Sequence, residues 1–364
     1  MKVAVVCSWL NQYGGAERVL EVVHALYPEA PVYTSIFRPD TLPPAYRGWD
    51  VRPSLLNRLP GARGRHHQWL LPLYPYAFEH MDLSSYDLVL SVTSAFAHGV
   101  HTSPHALHIC YCLTPARFLW DYNTYVAREN LGRAARSVLP LLIRSLRRWD
   151  RQAAERVSQF VGISKTVQQR ISQFYGRYAE IIFPPTDVQR FQPAQSHEDY
   201  FLIISRLVPY KRIDLAVQAF NRLGLRLVII GDGRDRPALE ALAAPNVRFL
   251  GRMDDEQAAL YLAGCRAFLF PGQEDFGIAP IEAQAAGRPV IAYAGGGALE
   301  TIVEGATGIF FREQTPESLA DAVMRFRDDD FDPQAIHQQA LRFDRQEFVR
   351  RFGEFVRTKY DESA

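Results

Sequence analysis

The stretch that decides the fold runs from Ala267 to Glu282 and reads Ala-Phe-Leu-Phe-Pro-Gly-Gln-Glu-Asp-Phe-Gly-Ile-Ala-Pro-Ile-Glu. It opens with a short apolar run closed by Pro271, which predicts a buried parallel strand. The segment from Gly277 to Gly287 then has the pattern of a helix, with Ile281 and Ala285 on one stripe. A buried strand that passes through a loop into a helix is the building block of an α/β sheet.

The loop between this strand and helix carries the groups expected of a ligand site. Open α/β sheets bind ligands beyond the carboxyl ends of their strands, and the backbone amides of Phe276, Gly277 and Ile278 at the helix start suit an anion. Glu274 in the loop and Glu282 on the helix can both accept hydrogen bonds from hydroxyls. A nucleotide sugar, which joins polyols to phosphates, fits this set better than a bare phosphate. Alternatively, Glu274 only favours the helix N-terminus electrostatically and Glu282 is solvated.

Composition narrows the class of protein. The 364 residues, 48% of them hydrophobic, predict two or three domains with sizeable cores, and a net charge of +1 does not indicate a nucleic-acid partner. Two of the four cysteines, Cys110 and Cys112, are too close to pair easily across a strand, which favours a reducing compartment. Met1–Cys7 is too short for a signal-peptide core and no apolar stretch approaches membrane-spanning length, so we expect a cytoplasmic protein.

Short apolar strands alternate with helical segments along almost the whole chain, which predicts the α/β class with doubly wound parallel sheets. Pro184-Pro185 and the polar segment 192–199 interrupt the pattern, with six predicted strands before them and five after. We therefore expect two facing Rossmann-like domains with a cleft between them, at 1–192 and 193–345. A final helix, 346–364, is expected to cross back onto the first domain.

Two glycine turns can be compared with the dinucleotide-binding fingerprint. Gly14-Gly15 follows the first strand later than a tight Gly-x-Gly-x-x-Gly turn allows. Gly231-Asp-Gly233 has the first two glycines, but Arg236 occupies the third place and would block close helix packing. A hydride-transfer enzyme is therefore disfavoured. Both turns remain candidate anion sites, although Gly-Asp-Gly is also an ordinary turn.

Arg206 and Lys211 supply candidate cations at the same sheet edge as Glu274. They follow the first strand of the second predicted domain. Two fixed cations there can hold a diphosphate and stabilise the charge that grows on it as a glycosyl bond breaks. The alternative is a solvated pair at a helix start.

Together these motifs resemble those of family-4 retaining glycosyltransferases of the GT-B fold. They are Gly14-Gly15-Ala-Glu17, Arg206 with Lys211, Gly231-Asp-Gly233, and the run from Glu274 to Pro289. The resemblance covers nearly the whole chain and is most specific over residues 200–310. Ser94–Val100 and His108–Asp121 are similar to the branch that transfers mannose in bacterial surface-polysaccharide assembly.

The resemblance implies a nucleotide diphosphate sugar as donor, with GDP-mannose the leading candidate, bound mainly to the second domain. It also implies a glycan or lipid-linked acceptor on the first domain, and neither a metal nor another cofactor. Arg206 and Lys211 would hold the diphosphate, Glu274 the sugar and Glu282 the ribose. The remaining implied donor contacts are the amides of Phe276, Gly277 and Ile278, the turn at Gly231, and Gly14 with Gly15 on the other side of the diphosphate.

One residue departs from the family pattern. Members usually carry histidine where this chain has Leu113, facing the donor sugar, and leucine makes no side-chain hydrogen bond. Either the contact is dispensable, or His98 or another nearby group replaces it, or the site is degenerate. Since the family histidine is thought to approach the C6 hydroxyl, leucine favours a 6-deoxyhexose donor such as GDP-rhamnose.

A basic segment, 128–151, carries seven arginines around an apolar stretch. Basic residues beside an apolar face suit an anionic membrane surface, which would make the protein peripheral on the inner face of the membrane. The alternative is an ordinary amphipathic helix whose apolar side is core. Two other functions also stay open: a GT-B nucleotide-sugar epimerase, and a non-catalytic subunit that binds a nucleotide sugar.

Overall fold

The computed structural model describes residues 1–60, 67–121 and 133–363, with the side chains of 67–69 and 133–138 left undescribed. The chain divides into two compact units. The first comprises Met1–Pro185 together with Phe348–Ala364, and the second comprises Thr186–Glu347.

The first unit is built on a parallel sheet, with seven strands among the described residues. They are β1 (Val3–Cys7), β2 (Val32–Thr34), β3 (Val51–Pro53), β4 (Leu88–Thr93), β5 (Leu107–Cys112), β6 (Gln159–Gly162) and β7 (Ala179–Ile181). Their order across the sheet is β3-β2-β1-β4-β5-β6-β7. Every residue of the central strands β4 and β5 is buried, as a parallel sheet covered on both faces requires.

Among the described residues, six helices belong to this unit wholly or in part. They are α1 (Gly15–Leu26), α2 (Tyr74–Glu79), α3 (Arg117–Trp120), α4 (Arg133–Glu155), α5 (Lys165–Tyr175) and α13 (Arg345–Ser363). Helix α13 belongs to the first unit from Phe348 onward. Phe348 and Phe352 pack edge-on against Tyr111, with ring centroids 5.5 Å and 5.6 Å away, and Arg351 donates to the Ile181 carbonyl. These contacts attach the C-terminal helix to the first sheet.

The second unit contains a parallel sheet of six strands in order β10-β9-β8-β11-β12-β13 within the described chain. These strands are β8 (Phe201–Ile204), β9 (Leu227–Ile230), β10 (Val247–Gly251), β11 (Ala267–Phe270), β12 (Val290–Tyr293) and β13 (Gly308–Phe311). Its helices are α6 (Ile213–Leu223), α7 (Arg236–Leu242), α8 (Asp255–Gly264), α9 (Ile278–Ala285), α10 (Ala298–Thr301), α11 (Pro316–Arg325) and α12 (Pro333–Ala340). The strand order reverses between β8 and β11, so the loops that follow these two strands flank a topological switch point.

The boundary between the units differs from the one predicted at 192/193. Thr186 already belongs to the second unit. Its N–H donates to the Phe343 carbonyl at 3.0 Å, and its own carbonyl accepts from the Arg345 N–H at 2.9 Å. The segment after Pro185 is thereby held by the far end of the second unit, a pairing that chain composition does not reveal.

Candidate active site at the switch point of the second sheet

The cationic residues lie in the loop that follows β8. Arg206 is exposed and its Nη2 lies 3.3 Å from the Tyr210 hydroxyl. Lys211 ends a 3-10 turn, Pro209–Lys211, and only 16% of its side chain is exposed. Its ammonium also lies 5.5 Å from the centroid of the Tyr210 ring. Tyr210 therefore contacts both cations of the loop.

The ammonium of Lys211 pairs with the carboxylate of Glu274, which comes from the loop after β11. Nζ contacts Oε2, and the two side chains are 16% and 17% exposed. The pair borders a small hollow that Ser205 and Gly272 also line. The structure thus brings together a cation and a carboxylate that are distant in the sequence, because β8 and β11 are neighbours in the sheet.

Glycines let the backbone of these loops pack closely. A Cβ on Gly231, whose φ is +135°, would lie 2.9 Å from the carbonyl carbon of Ser205, and one on Gly272 would lie 2.8 Å from the Lys211 carbonyl oxygen. The Gly231 N–H donates to Gly251 O at 2.7 Å, and the Gly233 N–H to the Asp232 carboxylate. These two amides are used within the protein, so neither is open to an anion at this turn. Gly231 instead supports the loop that carries Arg206.

A glycine run after β12 packs against the backbone of the loop that carries Glu274. The Gly297 N–H donates to the Glu274 carbonyl at 2.9 Å. A Cβ on Gly297 would lie 2.7 Å from the carbonyl carbon of Phe276 and still nearer to its Cα. Gly297 was not among the predicted site residues, although the run Gly295-Gly296-Gly297, one residue after a predicted strand, was a visible signal.

Helix α9 begins where the anion-binding amides were expected. Gly277 precedes its first residue, Ile278, and has a φ of 94°, a conformation that favours glycine. The Phe276 ring is buried and packs edge-on against Phe343, with centroids 5.7 Å apart. The first amides of a helix have no intrahelical partner. Residues 276–278 therefore present the start of α9 beside Glu274, in the arrangement that suits an anionic ligand.

Glu282 lies on α9 and has a partner that was not predicted. Its Oε1 is 3.7 Å from Nη2 of Arg190, whose Nη1 donates to Asp255 at 2.9 Å. The side chain of Glu282 is 14% exposed and that of Arg190 is 29% exposed. Nothing in the local sequence around Arg190 indicates this contact, since it joins segments far apart in the chain.

In the first unit, the turn after β1 leads directly into α1. Gly14 caps this helix with an extended backbone, and Gly15 is its first residue. A helix begins at this turn, and a helix N-terminus suits an anion, so the position stays a candidate site. Leu113 follows β5, is partly buried, and donates its N–H to the Thr93 carbonyl.

His98 is buried inside the first unit and is not placed to replace the family histidine at the donor sugar. Its ring is 2% exposed and its Nε2 lies 3.3 Å from Asp150 Oδ1, inside the first unit. Asp150, which is fully buried, also accepts from Trp120 Nε1 at 2.7 Å and from the Tyr175 hydroxyl at 2.8 Å. Burial acts to lower the pKa of His98, but its close contact with the negative charge of Asp150 outweighs burial and raises that pKa. We therefore assign His98 to a buried ion pair rather than to a donor contact.

The basic segment 128–151 is only partly described, because residues 128–132 lie outside the described ranges. On α4, Ile143 and Leu146 are buried in the core of the first unit, while Arg144 and Arg148 are exposed. Arg147 is engaged within the protein, since its Nε donates to the Leu119 carbonyl. The apolar side of the helix is thus core here, and Arg144, Arg148 and Arg151 are exposed among the described arginines. In the described part of the chain, no helix combines the length and apolarity needed to span a membrane.

Comparison with known proteins identifies the class. Residues 186–343 match the family model described as glycosyl transferases group 1. A GDP-mannose-dependent monoacylated alpha-(1-6)-phosphatidylinositol monomannoside mannosyltransferase of Corynebacterium glutamicum is 31% identical, over 53% of this chain and 58% of its own length. A glycogen synthase of Pseudomonas aeruginosa is 38% identical, over 38% of this chain and 28% of its own length. The chain thus spans between 28% and 58% of these two curated relatives.

Solved structures extend the likeness to the whole chain. Anabaena HepE in complex with UDP-glucose superposes with a TM-score of 0.73 at 17% identity, covering 98% of this chain and 100% of that one. Sucrose-phosphate synthase from Thermosynechococcus elongatus gives a TM-score of 0.76 at 16% identity, with 100% of both chains covered. The chain therefore carries a group 1 glycosyltransferase domain at residues 186–343, and its GT-B fold class is the one expected from the motifs.

Proposed function

We propose that this protein is a retaining, metal-independent hexosyltransferase. It would move mannose or a 6-deoxy relative from a nucleotide diphosphate sugar to a glycan or lipid-linked acceptor in surface polysaccharide synthesis. The observation that carries the proposal is the meeting of Lys211 and Glu274 at the switch point of the second sheet, beside the start of α9. It supports the proposal because a cation suited to a diphosphate, a carboxylate suited to sugar hydroxyls and a helix start lie at one sheet edge.

In the proposed mechanism the protein stabilises charge rather than forming a covalent bond. Lys211 has three N–H donors, so it can pair with Glu274 and still meet a diphosphate oxygen. Arg206, exposed in the same loop, can approach the diphosphate through its planar fork. As the glycosyl bond breaks, both cations stabilise the departing diphosphate, while Glu274 orients the sugar. A front-face transfer of this kind retains configuration and needs no protein nucleophile.

The proposed donor is chosen from the relatives that the chain resembles and from the residue at position 113. The name of the Corynebacterium relative specifies GDP-mannose, whereas HepE was solved with UDP-glucose. GDP-mannose stays the leading candidate because the motifs around Leu113 resemble a mannose-transferring branch. With leucine at that position, a C6 hydroxyl left without a partner would cost about 1 to 3 kcal/mol. A 6-deoxyhexose avoids this cost and gains apolar contact.

Substitution of Glu274 tests the proposed site. We expect Glu274→Ala to lower turnover at least about a hundredfold, which corresponds to about 2.7 kcal/mol, while the free nucleoside diphosphate still binds. Glu256, an exposed carboxylate on α8, provides the matched control, and Glu256→Ala should behave as wild type. Activity of Glu274→Ala within about threefold of wild type would remove Glu274 from the site.

The two cations make a complementary prediction. Because Arg206 and Lys211 would both meet the diphosphate, each alanine variant should weaken binding of the free nucleoside diphosphate as well as turnover. Calorimetry with GDP and UDP measures this. Unchanged affinity in both variants would contradict the assignment.

Turnover assays separate the proposal from its alternatives. Release of nucleoside diphosphate in the presence of an acceptor indicates transfer, inversion at C2 without acceptor indicates an epimerase, and binding without turnover indicates a non-catalytic subunit. The kcat/KM for GDP-mannose and GDP-rhamnose, in wild type and in Leu113→His, tests donor choice. A wild-type preference for mannose that this substitution leaves unchanged would end the 6-deoxyhexose hypothesis.

A further inference from the structure

Arg190 occupies a fixed position between two carboxylates of the second unit. It ends the short 3-10 turn Val188–Arg190, upstream of β8. One arm of its guanidinium donates to Asp255, the first residue of α8, at 2.9 Å. The other arm lies 3.7 Å from Oε1 of Glu282 on α9. A single side chain thus links two helices to the turn that precedes the sheet.

The guanidinium is held more firmly than a freely solvated arginine. Its central carbon lies 4.7 Å from the centroid of the Phe191 ring, and Phe191 is only 3% exposed. The ring therefore forms a rigid support beneath the planar group. Because Asp255 and Phe191 hold the fork, they also determine where the second arm meets Glu282.

We propose that Arg190 is a positioning residue that orients Glu282 toward the ribose hydroxyls of a nucleoside diphosphate. The inference rests on the proposed function, in which Glu282 holds the ribose. An ionised carboxylate is an acceptor only, so it suits the hydroxyl donors of a ribose. Arg190 lies between Asp255 and Glu282, which offsets the repulsion between the two negative charges and holds the Glu282 carboxylate in one orientation.

A purely structural role predicts a different outcome from a positioning role. Partly exposed ion pairs add little to stability, so Arg190→Ala is expected to fold. If the residue only supported the fold, its loss would weaken every ligand equally. If it positions Glu282, its loss weakens only ligands that carry the ribose hydroxyls.

The experiment is calorimetry with GDP, UDP and their 2′,3′-dideoxy forms on the full chain. We expect wild type to bind the ribose forms about tenfold more tightly than the dideoxy forms. Arg190→Ala should reduce this ratio to below about threefold while leaving the affinity for the dideoxy forms unchanged. Arg190→Lys keeps the charge without the fork and should retain only part of the ratio. Arg222→Ala, which removes an exposed arginine paired with Glu317, is the matched control.

Each contrary result has a distinct meaning. An unchanged ratio in Arg190→Ala, or equal weakening of both ligand forms, overturns the positioning role and leaves the proposed function intact. If wild type binds the nucleoside diphosphates without preferring ribose, the assignment of Glu282 fails and the inference fails with it. If wild type binds neither GDP nor UDP, the proposed function itself is overturned.

Discussion

Gly297→Ala tests whether the glycine run after β12 sets the position of Glu274. Gly297 has φ of −64° and ψ of −19°, which alanine adopts without strain, so the effect of the substitution comes from contact alone. The new Cβ would lie 2.7 Å from the carbonyl carbon of Phe276 and nearer still to its Cα. To restore an ordinary contact, the loop carrying Glu274 must move by roughly 1 Å.

A displacement of this size near a reacting centre costs about a hundredfold in rate. We therefore expect Gly297→Ala to lower kcat/KM about a hundredfold, or about 2.7 kcal/mol, in an assay of nucleoside diphosphate release with acceptor. The thermal unfolding midpoint should show that the variant remains folded. Gly353→Ala is the matched control, because a Cβ there meets nothing within 4 Å. A kcat/KM for Gly297→Ala within about threefold of wild type would refute the reasoning.

Two further predictions concern the first unit. Replacing Arg144 and Arg148 with serine should weaken binding to anionic liposomes by about 1 kcal/mol per charge, and added salt should weaken wild-type binding in the same way. The control variant Arg312→Ser should bind the liposomes as wild type does. If wild type does not bind such liposomes at low salt, these arginines are merely solvated. The pKa of His98 is raised in the folded protein, so its pairing with Asp150 stabilises the fold. This contribution is fully present below the pKa of the unfolded state, about 6.5, and is lost as pH rises through the pKa of the folded state. In urea unfolding, the advantage of wild type over His98→Gln should therefore shrink as pH rises above about 6.5, and a difference independent of pH would contradict the assignment.

The elements themselves were largely predictable because they depend on neighbouring residues. The apolar run at 267–270 is observed as β11, and the helix predicted from Gly277 to Gly287 is observed as Ile278–Ala285. The strands that were missed are edge strands, β3 and β13. Val51–Pro53 ends in proline and is largely exposed, so it lacks the apolar pattern of a buried strand.

The site was predictable only where the position of a residue at the sheet edge follows from the strand that precedes it in the sequence. Lys211 and Glu274 each follow a parallel strand, and the carboxyl ends of such strands share one edge of the sheet. Their direct contact depends on β8 and β11 being neighbours, which is a property of strand order. The turn at Gly231 shows the opposite case, since its spacing suggested an anion site while Gly251 accepts its N–H.

By itself, the sequence determined the alternation of strands and helices, the position of the charged loops and the glycosyltransferase motifs, because these depend on residues close together along the chain. The tertiary structure decided which partners those residues meet. In the folded chain, Arg190 lies beside Glu282, Gly297 packs against the loop that carries Glu274, and His98 pairs with Asp150 in the core. Each of these contacts joins segments far apart in sequence, and such pairs form only when the sheet order and the packing of the core bring them within a few ångströms.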